Sequence, residues 1–285
     1  MKTKNILSTL LVFFLFVATA VAQGNIITTD QFKELKKANK ELVIIDASKA
    51  KLYTATHVVG AINIPYKILN QKEGAVDGLL KTPEELAKIL GDKGVSDQDE
   101  IVVYDEGSQK YSTRVYWVLK YLGATNVKVL HKEMSAWGKA RIKLTSAVPN
   151  VKTKVFTANI NSDISADITF VKEGLANENV VLIDARSEEE FIGSDDVKKK
   201  YSDGHLPGAI HLEFKEVLNE NKSFMNAEAF ADRGFTADKT YIMYCKTGVK
   251  ASVPYVYFTE VLGFENVKVY DGAYAEWETK YDFAK

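Results

Sequence analysis

The sequence predicts an α/β protein made of two tandem domains, each a mostly parallel sheet with helices on both faces. Three observations carry this: an internal repeat, short apolar runs that end in Asp, and helical patterns that stop at glycine just before the next strand. Leu42–Ser48 matches Val180–Arg186, His57–Ile62 matches His205–Ile210, and Ile101–Asp105 matches Tyr241–Cys245. Asn126–Val129 matches Asn266–Val269, and Trp137 matches Trp277, with an offset of 140 residues in these last three pairs. A period this long means duplicated domains, not a solenoid of small repeats.

Taken in order, the chain opens on Lys2 and Lys4, then an apolar run from Ile6 to Ala20, then Ala20-Val21-Ala22. This is the pattern of a secretory signal peptide cleaved before Gln23. The run is short for a bilayer span of roughly 20 residues, so residues 1–22 are expected to be removed, leaving an exported, soluble, periplasmic or secreted protein with no stable membrane insertion. Residues 23–146 form the first domain, 147–159 the connection around Pro149, and 160–285 the second domain, with its first strand expected near Ile160. Runs such as Val180–Ile183 read as parallel strands buried on both faces. Helical patterns cover Pro83 to Leu90, Ser112 to Leu122 and Ala251 to Leu262. Thr82, Pro83 and Glu85 form a capping box with Pro in the first turn. Leu122-Gly123 and Leu262-Gly263 put glycine where a helix C-cap needs positive φ.

The composition fits two ordinary domains. The 285 residues are 46% hydrophobic and 26% charged, with 17 Gly and 5 Pro, which excludes a collagen-like or disordered chain. Lys plus Arg number 37 and Asp plus Glu 38, a net −1 that becomes −3 without the leader; this gives no support to a nucleic-acid partner. Cys245 is the single cysteine, so no disulfide can close within the chain. A lone thiol in an oxidising compartment is either buried and inert or kept for its reactivity.

Cys245 follows the strand pattern Tyr241–Tyr244 and leads into Lys246-Thr247-Gly248-Val249-Lys250-Ala251, just ahead of a helix. That is the carboxyl end of a strand, where ligands bind in open α/β sheets. Such a loop can curl its N–H groups into an anion nest, and the helix end and two lysines favour a charged sulfur. Gly248 permits the tight turn. The site therefore suits a nucleophilic sulfur and an anionic substrate or adduct.

These segments, with Asp184–Arg186, Gly204–Ala209, Asp271-Gly272 and the first-half equivalents Asp46-Ala47, His57 to Pro65, Ser112–Arg114 and Trp137, resemble the tandem-domain rhodanese family of thiosulfate and 3-mercaptopyruvate sulfurtransferases. The resemblance implies two rhodanese-like domains with the active site in the second and an inactive first copy, with Asp105 in place of the nucleophile. It implies ping-pong transfer: Cys245 takes the outer sulfur of a small anionic donor as a persulfide, and cyanide or a thiol removes it. Arg186 is then expected to bind the donor anion, with Lys246, Thr247, Gly248, Val249, Lys250 and Ala251 as the substrate-binding loop. A thiol reductant protein is a possible partner in this reading, and no cofactor is implied.

The loop is a hybrid of the family's types. Thr247, two residues after the cysteine, is the hydroxyl residue of the mercaptopyruvate kind, whereas Lys246 and Lys250 make the loop more basic. Lys250 either reaches the substrate or points to solvent. His131-Lys132-Glu133 replaces the usual Asp-Gly-Gly of the first domain. His57 and His205 have no ligand cluster around them and read as structural hydrogen-bonders, so no metal is expected. A cysteine phosphatase would need an arginine where Ala251 stands. A dinucleotide fingerprint is absent. The remaining alternative is a non-enzymatic binding or redox-sensing protein.

Overall fold

A computed structural model describes residues 24–71, 74, 76–131, 134–193 and 204–284. The expected leader, residues 1–22, lies outside them. In the first half the elements are β1 (Ile26–Ile27), α1 (Thr29–Ala38), β2 (Val43–Asp46), α2 (Ala50–Ala55), β3 (His57–Val58), β4 (Ile62–Asn63), α3 (Pro83–Asp92), β5 (Ile101–Tyr104), α4 (Lys110–Tyr121), β6 (Val127–Leu130), α5 (Met134–Ala140) and β7 (Leu144–Thr145). In the second half they are β8 (Ser165–Ala166), α6 (Ile168–Gly174), β9 (Val180–Asp184), α7 (Glu188–Ile192), β10 (Ile210–His211), β11 (Thr240–Tyr244), α8 (Ser252–Glu260), β12 (Val267–Tyr270) and α9 (Ala273–Trp277).

The repeat seen in sequence is a repeat of topology. The first sheet runs β1-β6-β5-β2-β4 and the second β8-β12-β11-β9-β10, the same order of equivalents, with every pairing parallel. The central strands β5 and β11 are buried along their length except at Thr240, as strands covered on both faces must be. Each ends where the chain turns into the helix that carries the loop of interest.

Local signals act where they stand in sequence. Thr82 and Glu85 make the reciprocal capping box ahead of α3, whose first residue is Pro83. Gly123 and Gly263 hold φ of +91° and +71° after α4 and α8. His57 bonds the carbonyls of Tyr53 and Ala147 through its two ring nitrogens, and His205 bonds that of Phe191, both as structural side chains. The first strand of the second half comes later than expected, at Ser165 after a 3-10 turn at Ser162–Ile164. Residues 150–161 instead lie along the first domain, with the N–H groups of Lys154, Asn159 and Asn161 on the carbonyls of Gly91, Leu122 and Tyr121.

The two halves share one apolar core that runs from β2 and β5 across α4 and α8 to β9 and β11. Helix α8 is buried from Ser252 to Phe258, on every side. A helix covered all round needs no polar face, so its apolar residues show no one-sided pattern. Tyr116 of α4 donates to Glu260 of α8 at 2.7 Å, and Asn25 donates to the same carboxylate at 3.0 Å. Among the described residues no helix is long and apolar enough to cross a membrane.

Candidate active site

The loop after β5 shows what this local fold does to a negative group. Asp105 is 1% exposed, and its carboxylate is surrounded by donors. One oxygen accepts from the N–H groups of Gly107 at 2.7 Å and Gln109 at 3.2 Å. The other accepts from the N–H groups of Tyr111 at 3.0 Å and Ser112 at 3.2 Å, and from the Ser108 hydroxyl at 3.2 Å. This is an anion nest closed by the N-terminus of α4.

Cys245 stands 140 residues on, at the end of the equivalent strand β11 and ahead of the equivalent helix α8. It is also 1% exposed. Its backbone is pinned from the side: Tyr274 N–H donates to the Cys245 carbonyl at 3.0 Å and Ala275 N–H to the Lys246 carbonyl at 3.1 Å. Gly248 takes φ +75°, and the Ser252 hydroxyl donates to its carbonyl at 3.3 Å. Of the remaining loop residues, Val249 and Ala251 are buried, while Lys246, Thr247 and Lys250 are half-buried.

The first domain forms one wall of this loop. Gly78, at φ +87°, packs so tightly that a Cβ there would lie 2.5 Å from Thr247 Cβ. Arg114 of α4 is fully buried, lies over the Trp117 ring, and donates to the carboxylate of Asp271 in the segment after β12. The other Asp271 oxygen accepts from Leu80 N–H at 2.9 Å. Sequence reasoning singled out Asp271 and Arg114 as motif residues without seeing that they meet; their contact spans 157 positions.

Arg186, expected to bind the donor anion, is held by internal partners. Its side chain has no exposed surface. Nε donates to both Asp184 oxygens at 3.0 Å, and Nη2 donates to Asp184 at 2.6 Å and to the Gly204 carbonyl at 2.7 Å. Burial works against its charge, but the hydrogen bond and field of Asp184 outweigh it and raise its pKa. The guanidinium also lies 4.4 Å from the Tyr274 ring centroid, so it supports the residue whose N–H holds Cys245. Tyr244 donates to Asp184 at 2.7 Å, and burial, then the Asp184 charge, push its pKa well above the ordinary tyrosine range.

Lys250 does not simply point to solvent: its ammonium pairs with Glu190 of α7 at 3.0 Å. Burial opposes the Glu190 charge, yet the Lys250 field and hydrogen bonds from Lys250 and Ser187 leave its carboxyl below the usual glutamate range. Glu190 lies in a run of three glutamates, and nothing in its spacing marks it as a neighbour of the cysteine loop. No group of three or more His, Cys, Asp or Glu placed to hold a metal ion is found among the described residues.

Two parallel sheets in the same order, each with a strand-to-loop-to-helix turn at the equivalent position, define a duplicated α/β fold. The rhodanese-like domain model matches residues 28–140 and 167–280, and the chain belongs to the rhodanese-like family. Among its relatives, the "Putative thiosulfate sulfurtransferase" of Haloferax volcanii is 29% identical over 258 residues, covering 87% of this chain and 88% of that protein. The 3-mercaptopyruvate sulfurtransferase of Escherichia coli is 28% identical over 241 residues, covering 83% and 85%. The crystal structure of SseA from Escherichia coli superposes with a TM-score of 0.78 at 25% identity, covering 88% of this chain and 99% of that one.

Proposed function

We propose that the protein is a sulfurtransferase that moves sulfane sulfur from a small anionic donor, thiosulfate or 3-mercaptopyruvate, to a thiophilic acceptor through a Cys245 persulfide. The observation that carries this reading is the nest around Asp105. Its backbone donors, Gly107, Gln109, Tyr111 and Ser112, correspond at the same offset to Thr247, Val249, Ala251 and Ser252 around Cys245. A loop that satisfies a carboxylate in one copy offers the same kind of stabilisation to an anionic sulfur in the other.

With thiosulfate, the Cys245 thiolate attacks the outer sulfur. A new S–S bond forms, the old one breaks, and its electron pair leaves with sulfite. With 3-mercaptopyruvate, the C–S bond breaks instead and the enolate of pyruvate leaves, taking a proton from water. In the second step cyanide or a thiol attacks the terminal sulfur and the thiolate of Cys245 departs. The covalent intermediate splits one transfer into two easier ones. Asp105 cannot accept sulfane sulfur, which makes the first domain a wall and not a second site. The relatives' names support both donors and do not choose between them. The same reading includes export through cleavage before Gln23, checked by N-terminal sequencing of secreted protein, and a thiol reductant protein that keeps Cys245 reduced.

Intact mass after incubation with each donor tests the chemistry. Wild type should gain one sulfur, about 32 Da, removable by cyanide, and Cys245→Ala should gain nothing. No adduct in protein with a free thiol would overturn the reading.

A further inference from the structure

Arg186 is engaged by Asp184 and the Gly204 carbonyl, and three further cations gather around Phe214. This side chain is buried in the turn after β10. Its N–H donates to the Ala185 carbonyl, and Ala185 N–H to that of Tyr244, the residue before Cys245. Three ammonium groups face its ring: Lys110 at 5.8 Å from the centroid, and Lys215 and Lys250 at 5.9 Å. Two are neutralised, Lys215 by Glu213 at 2.9 Å and Lys250 by Glu190 at 3.0 Å.

Lys110 is the exception. Among the described residues it makes no ion pair; its contacts are the rings of Phe214 and, at 5.3 Å, Tyr111. Glu106, the carboxylate that feels its field, has its own charge disfavoured by burial and by Asp105. Lys110 is also the first residue of α4, at the end of the helix dipole where a cation is disfavoured. A cation held there, beside two more and without an ion pair of its own, is a cost that an arriving anion relieves.

We propose that Lys110 of the first domain and Lys250 of the cysteine loop together receive the sulfonate or carboxylate of the sulfur donor over Phe214. The site is thus completed by the copy that has no nucleophile. Glu190 holds Lys250 until the donor anion takes its place. The assignment rests on the sulfurtransferase reading and extends it to the donor's anionic end.

The test compares wild type with Lys110→Gln and Lys110→Arg in the full chain, with thiosulfate and 3-mercaptopyruvate as donors and neutral dithiothreitol as acceptor. Lys110→Gln should raise the donor KM about tenfold, the scale of one charge-assisted hydrogen bond. The rate at which dithiothreitol discharges preformed persulfide should not change, and Lys110→Arg should restore the donor KM. A change in fold alone would move both half-reactions together. Titration of thiosulfate into Cys245→Ser by calorimetry, with and without Lys110→Gln, reads the receptor without the chemistry. Lys110-dependent binding to Cys245→Ser, together with a wild type that gains no sulfur from either donor, would uphold the receptor and sink the sulfurtransferase reading. Normal persulfide formation with an unchanged donor KM in Lys110→Gln would overturn the receptor alone.

Discussion

Arg114 and Asp271, one in each repeat, form an ion pair beside the cysteine loop, with the guanidinium fully buried and the carboxylate partly buried. Through Asp271 the first domain holds the segment that donates Tyr274 N–H to Cys245. Ala273, between them, takes φ +53°, a left-handed conformation that a non-glycine residue holds only when its surroundings impose it. Removing one partner leaves the other charge stranded. Arg114→Ala should cost about 3–5 kcal/mol in urea unfolding, and Asp271→Asn should add little to it in a double-mutant cycle. Additive effects of the two changes would show that the pair is not coupled.

Arg186 gives a prediction that separates a structural role from a substrate contact. Arg186→Ala leaves the fully buried Asp184 without its partner, at a cost of about 3–5 kcal/mol. In Arg186→Lys, which keeps a charge but loses the forked geometry, the melting temperature should fall while the donor KM stays within twofold. A large rise in KM at unchanged stability would restore Arg186 to the substrate.

Gly78 is where the first domain touches Thr247 most closely. In Gly78→Ala the new Cβ meets Thr247 Cβ at 2.5 Å and its carbonyl oxygen at 2.9 Å, at a φ of +87°. The backbone term alone costs about 1–2 kcal/mol, and the contact forces the wall off the loop. Thermal melting and the rate of persulfide formation should both fall. An unchanged rate would mean that the loop keeps its shape without this wall.

The Lys250–Glu190 pair sets a pH dependence. The Glu190 pKa is depressed in the folded protein, so its stabilisation is complete above the ordinary glutamate value of about 4.3. It is lost as pH falls through the lower, folded value. The stability difference between wild type and Glu190→Gln should therefore be flat from neutral pH to about 5 and close below about 4. A difference that grows on acidification would contradict the pair.

Much of this fold was legible because the chain states it twice. Val180–Asp184 and Val43–Asp46 are apolar runs whose last three residues are buried in succession, and such runs announce themselves without any knowledge of their neighbours. The cysteine loop stood out because Lys, Thr and Gly follow the thiol, but nothing in the sequence showed that Cys245 itself is buried in the shared apolar core. The strand Ser165–Ala166 escaped because two residues, one polar, have no period. The pairing of Arg186 with Asp184, two residues away at a strand end, was not legible. In sequence that proximity looks like a motif, and only the turn shows it to be a pair. Lys110 and Glu190 were illegible for a different reason: their neighbours around the loop come from distant segments, brought together by packing.

The burial of α8 on all sides ties the second repeat to the first. A helix with no solvent face has no free-standing form, so a gene cut back to the second repeat would carry Cys245 and its whole loop yet expose the side that α4 now covers. Such a product would aggregate before it could react. The first repeat is thus a structural requirement of the second, whatever its own chemistry.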